Sequence, residues 1–268
     1  MSITYEHKTL IAYFMTRNSV WKTSEDSATA AWELGEENTT SATLTVATDT
    51  PLAGGKLQLG GDAVSLLALE KKGEGDSPLD MYVRGNDLVA RYNSQGHPFE
   101  REVYWRVIDC DAFEESVEQS ETDDQSLLGV ELIYSLQTDS LDSNPAPKVT
   151  SLLPMKSFKV YSVVGASTDA TRSWKASDDL ASSQLLVATL VGGAKLAIGA
   201  FPSDLARLEI ENPKSPCPVV FHLNSDFLEK GVIRRTRMFV CCGGRSVDEA
   251  RLIQQATAFL NSEIPLTT

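Results

Sequence analysis

Apolar and polar side chains alternate with a period of two along much of this chain, most clearly between residues 79 and 108. Leu79, Met81 and Val83 fall on one side of an extended backbone, with Asp80, Tyr82 and Arg84 on the other. Gly85-Asn86 supplies a turn, and Leu88, Ala90 and Tyr92 resume the alternation. After a second turn over 93–98, Val103, Trp105 and Val107 oppose Glu102, Tyr104 and Arg106. A period of two marks strands with one buried face, and glycine with asparagine tolerates the positive φ of a tight hairpin, so this stretch predicts a three-stranded antiparallel meander.

Similar runs fill the rest of the chain. Strands are expected over 3–15, 21–34, 41–48, 56–59, 64–70, 127–136, 158–164, 219–224 and 231–242, punctuated by Gly54-Gly55, Gly60-Gly61 and a proline-rich connection at 213–218. Residues 184–191 and 194–200 flank Gly192-Gly193. Both arms are nearly all apolar, which predicts a central hairpin buried on both faces. Residues 142–148 and 166–183 read as polar loops. Only 246–263 reads as a helix: Ser246 and Glu249 have the spacing of a capping box, Ala250, Ile253, Ala256, Phe259 and Leu260 form one stripe, and Pro265 ends it. The expected fold is all-β, a large or tandem antiparallel β-sandwich with one C-terminal α-helix.

One stretch breaks the pattern. Between residues 109 and 124 there are eight carboxylates and no Lys or Arg, so self-repulsion opposes compaction and little apolar surface offsets the ordering cost. The division this implies is a first β-sandwich module over 1–108, an acidic linker or loop over 109–126 that a Glu-specific protease should cut first, and a second module with the helix over 127–268. The alternative is one continuous sandwich over 1–268. Weak internal echoes accompany the two-module reading: Asp87-Leu88 against Asp204-Leu205, and Val103-Tyr104 against Val220-Phe221, share a spacing of 117 residues.

Composition narrows the function classes. A net charge of −13 and a pI near 4.7 argue against a phosphate-tracking nucleic-acid surface and against an anionic membrane. No apolar run approaches the ~20 residues that span a bilayer, and the first residues carry no secretory signal, so a soluble, cytoplasmic protein is expected. The four cysteines, at 110, 217, 241 and 242, lack disulfide-scaffold density and any C-x-x-C spacing, and they read as structural thiols of a reducing compartment. His7, His97 and His222 lie far apart in the sequence, so no metal site and no cofactor are expected.

Two constellations remain. His222 with Asp226 and Glu229 offers an imidazole beside carboxylates, which suits acid–base chemistry of the kind that opens a sugar ring. Tyr82, Tyr104, Arg84 and Arg106 in the meander, with Arg234 from 231–242, offer aromatic faces for stacking on sugars and guanidinium forks for carboxylates. Nucleotide-binding loops, nucleophile elbows and zinc-protease motifs are absent from the sequence. The leading expectation is therefore a non-catalytic binding or interaction module with a carbohydrate or protein partner. The alternative is an enzyme acting on a sugar or sugar derivative through the His222 cluster, on a two-module sandwich with the general look of the galactose-mutarotase type, although none of that family's catalytic motifs is matched here residue by residue.

Overall fold

A computed structural model describes residues 21–24, 26–34, 40–69, 77–92, 99–110, 127–141, 143–164, 172–211, 216–224 and 227–262. The expected strand over 3–15 and residues 111–126 of the acidic stretch over 109–126 lie outside the described residues.

Two antiparallel sheets face one another. Eight strands, in spatial order β1 (Lys22–Thr23), β2 (Ser27–Leu34), β3 (Thr40–Ala47), β4 (Gly55–Leu59), β5 (Asp62–Leu69), β10 (Lys148–Leu153), β16 (Cys217–Leu223) and β15 (Leu205–Ile210), make the first. Nine make the second: β12 (Ser173–Ser177), β11 (Met155–Val164), β13 (Leu185–Leu190), β14 (Lys195–Ala200), β17 (Ile233–Gly243), β9 (Leu127–Gln137), β8 (Glu100–Asp109), β7 (Asp87–Tyr92) and β6 (Asp80–Arg84). This is the all-β sandwich with one C-terminal helix that the period-two patterning predicts.

The alternation sets what lies between the sheets. Leu44, Leu57, Leu66, Val149 and Phe221 of the first sheet and Leu88, Trp105, Leu132, Ile198 and Val240 of the second are all buried in one cluster. Trp21 ties the sheets at one end, its indole N–H donating to the carbonyls of Asn86 and Trp105 at 3.0 and 3.1 Å. Each sheet draws strands from both sides of the acidic stretch. The strands flanking that stretch, β8 and β9, are hydrogen-bonded neighbours from Glu100↔Gln137 to Asp109↔Leu128, so it connects adjacent strands of one sheet.

The β13–β14 hairpin sits centrally, as its apolar arms predict. Leu186, Ala188, Leu196 and Ile198 face the inter-sheet core. Leu185, Val187 and Ala197 face outward and are covered by helix α1 (Glu249–Asn261) with Leu252, Ala256 and Phe259. Two expectations need correction. The polar loop over 166–183 contains strand β12, whose Trp174 and Ala176 pair with Val163 and Tyr161 of β11; the exposed outermost position leaves it too few buried residues for a clear alternating signal. The helix is not capped by Ser246. Its cap is Asp248, whose carboxylate accepts from the Arg251 amide at 2.7 Å. Glu249, now the first helical residue, turns instead to Lys159 and Tyr161.

Strand β5 carries one irregularity. Leu67 has φ of +54° and its amide donates to the Ser151 hydroxyl at 2.9 Å, where the β5–β10 register shifts. A side-chain acceptor thus replaces the backbone partner that the bulge removes.

Candidate ligand-binding face

Cross-strand register arranges the outer face of β6, β7, β8, β9 and β17 as a lattice. One row runs Asp80, Arg91, Glu102, Ser135, Arg235; the next Tyr82, Val89, Tyr104, Ile133, Arg237; the third Arg84, Asp87, Arg106, Glu131, Phe239. Residues directly opposite on one face are in side-chain contact range, so opposite charges in register stabilise the pairing.

The third row is an ion-pair chain running inward from the sheet edge. Arg84 lies 4.0 Å from Asp87. Arg106 donates to both oxygens of Asp87, at 2.7 and 3.0 Å, and its third nitrogen lies 3.6 Å from Glu131. Glu131 accepts from Arg237 at 2.5 Å. Glu131 and Arg237 are buried, 2% and 3% exposed, so this charge pair is held in a low-dielectric setting where an uncompensated partner is costly. The Asp87 bonds push the Arg106 guanidinium further up, outweighing the opposing effect of burial. Arg237 also donates to the Ser262 hydroxyl and lies over the Phe259 ring at 4.7 Å, which joins the charge chain to the end of α1.

This separates the five residues that the sequence nominates for a ligand. Arg106 is committed to two carboxylates. Tyr104 is buried, its hydroxyl donating to Glu102 at 2.6 Å. Tyr82 is 37% exposed, and Arg84 beside it presents half of its side chain to solvent. Arg234 lies on the opposite side of its strand from this lattice, paired with Leu136 of the core-facing set. Arg91 joins Tyr82 and Arg84: it sits on the same face, is largely exposed, and lies 3.6 Å from Glu102. Its spacing of two from Val89 was the available signal.

The second constellation is on the outer face of the other sheet. His222 of β16 faces Lys148 of β10 on one side and Arg207 of β15 on the other. The carboxylate on His222 is Glu209, with Nε2 and Oε2 2.6 Å apart. Arg207 lies 3.3 Å from that same oxygen and 3.4 Å from the imidazole. The bond to His222 holds the Glu209 carboxyl below the usual range against the opposing effect of burial, with Arg207 and Lys148 adding to it. Glu229 is exposed in the turn before β17. Asp226 lies outside the described residues. The arrangement can keep Glu209 ionised and fix the orientation of the imidazole, the two requirements of a histidine–carboxylate pair.

No group of three His, Cys, Asp or Glu side chains suited to a metal ion is found among the described residues. Among them, too, no helix is long and apolar enough to cross a membrane.

No protein-family model matches the chain, and no curated protein matches it. Solved structures do. A mutant of the heparan sulfate lyase HepC from Pedobacter heparinus matches with 9% identity and a TM-score of 0.40, over 84% of this chain and 36% of that one. A heparinase III gene product matches with 8% identity and a TM-score of 0.41, over 84% and 36%. A polysaccharide lyase matches with 10% identity and a TM-score of 0.37, over 84% and 34%. The chain thus spans about a third of the length of the solved structures it matches.

Proposed function

We propose that this chain is a non-catalytic binding module that takes carbohydrate at the exposed edge formed by β6 and β7. The observation that carries the reading is Tyr82. Its ring is exposed at the sheet edge, with Arg84 two residues along and Arg91 on the neighbouring strand, while Tyr104 and Arg106 behind it are tied down by carboxylates. A half-exposed aromatic on a rigid strand stacks against the C–H face of a sugar with little side-chain ordering cost. The flanking guanidinium groups can donate to ring hydroxyls or to a sugar carboxylate. The test is a glycan array with the full chain and with Tyr82→Ala and Arg84→Ala. Retention of defined glycans by the parent chain, lost in Tyr82→Ala at an unchanged unfolding midpoint, supports the reading. Retention of none overturns it and favours a protein partner; retention indifferent to Tyr82 overturns the assignment of the site to this face.

A second reading has one observation behind it, the 2.6 Å contact between His222 and Glu209. On this reading the chain is an enzyme acting on a sugar or sugar derivative, with His222 exchanging the proton and Glu209 orienting it. Polarimetry of freshly dissolved aldoses tests it. Ring opening no faster than in buffer, or equally fast with His222→Ala, removes this reading.

A further inference from the structure

Gly129 occupies the interior of β9, a position where glycine ordinarily weakens a strand. In register it sits between Cys241 of β17 and Ile108 of β8. A Cβ placed on it would stand 2.6 Å from the Cys110 sulfur and 3.0 Å from the Ile108 Cβ. Cys110, two residues past Ile108 at the end of β8, therefore lies over the bare backbone of β9 and reaches across it. Its sulfur comes within 4.0 Å of the Cys241 sulfur. Both side chains are buried beneath α1, and Gln255 of the helix donates to the Cys110 carbonyl at 2.9 Å.

We propose that Cys110 and Cys241 are a dithiol–disulfide site, a position of reversible oxidation that cross-links β8 to β17 over β9. All four cysteines are reduced in this structure. A disulfide needs sulfurs ~2.05 Å apart. Closing the gap from 4.0 Å requires rotation of the two side chains, and the glycine at residue 129 leaves Cys110 room that a Cβ would take. The oxidant is a small-molecule disulfide. The thiolate of one cysteine attacks it, forming a mixed disulfide and releasing one thiol; the second cysteine displaces the other half, releasing a second thiol. The sum is protein dithiol plus disulfide giving protein disulfide plus two thiols, with protons conserved. The remaining cysteines do not compete: Cys242 points into the inter-sheet core, and Cys217 lies in β16 of the other sheet. Oxidation would anchor residue 110, within the first positions of the acidic stretch, to the strand that α1 covers.

Oxidative refolding tests this without requiring access to the folded interior. The full chain is unfolded in urea with reductant, refolded across a series of glutathione ratios, alkylated, and digested without reduction for mass spectrometry. The expected result is a peptide linking Cys110 to Cys241 as the dominant disulfide. Its fraction should follow the glutathione ratio, its formation should raise the thermal midpoint by on the order of 5 °C, and Gly129→Ala should suppress it. Dominance of any other pairing, or alkylation of all four thiols across the whole series, overturns the proposal.

Discussion

The carboxylate of Asp62, in the first residue of β5, accepts a hydrogen bond at 2.8 Å from the amide of Gly192 in the β13–β14 turn. The bond joins a hairpin of one sheet to a hairpin of the other, and Arg245 closes the same corner by donating to the Gly192 carbonyl at 2.7 Å. Gly192 is required here for closeness of approach. A Cβ on it would meet the Asp62 carboxylate at 2.4 Å.

Gly192→Ala is therefore expected to lower stability by about 1–3 kcal/mol, the usual scale of overpacking a close contact. The double variant with Asp62→Ala should lose less than the two single changes together, because the truncated side chain no longer meets the added methyl. Urea unfolding of the four proteins measures this. Additive losses would mean that the two hairpins do not press on one another.

Glu131 supports the second prediction. It holds Arg237 and lies near Arg106, and both it and Arg237 are almost wholly inside. Glu131→Ala leaves two guanidinium groups with one fewer carboxylate, and should cost roughly 3–5 kcal/mol as a broken buried pair. Arg91→Ala breaks a pair of similar drawing, Arg91 with Glu102, in which both groups meet solvent; it should change stability by no more than about 1 kcal/mol. Equal losses in chemical denaturation would contradict the ranking by burial.

How the sequence conveys these features differs from one to the next. The meander over β6, β7 and β8 and the Gly192-Gly193 hairpin were readable because period-two alternation and turn residues are local, and every face in them is decided by parity. Glu131 is absent from the sequence analysis, although a lone carboxylate inside the otherwise apolar run of β9 implies a buried cation somewhere. Which cation is not local, since Arg237 reaches it only through the β9–β17 register. The partner of His222 shows the same limit. Asp226 and Glu229 were favoured by nearness in sequence, whereas Glu209 arrives from the neighbouring strand, thirteen positions away. The order of strands within the two sheets belongs to the same class of non-local information.

The helix cap separates two readings of one short segment. Ser-Val-Asp-Glu places a hydroxyl and a carboxylate three apart, but the chain enters the helix two residues later, and Asp248 takes the cap. Asp248→Ala should cost about 1 kcal/mol, the usual price of a lost N-cap, and Ser246→Ala should fall within about 0.5 kcal/mol of the parent chain. Thermal unfolding followed by circular dichroism compares them; a larger loss at Ser246 would restore the capping box.

Glu209 gives the last prediction, and its sign follows from linkage. The hydrogen bond from His222 is the main reason its carboxyl lies below the ordinary glutamate value of 4.5, with Arg207 and Lys148 adding to it. A carboxyl with a depressed folded-state pKa binds its proton less tightly when folded than when unfolded. Its contribution to stability is thus complete above about 4.5, and it is lost as pH falls through the folded-state value. In His222→Ala the donor that contributes most is gone, so the Glu209 midpoint should rise toward the ordinary value. Carboxyl-carbon NMR titration of both proteins reads this directly. A Glu209 midpoint identical in the two proteins would mean that His222 and Glu209 are neighbours in space without being bonded in solution, and the acid–base reading of that face would lose the contact it rests on.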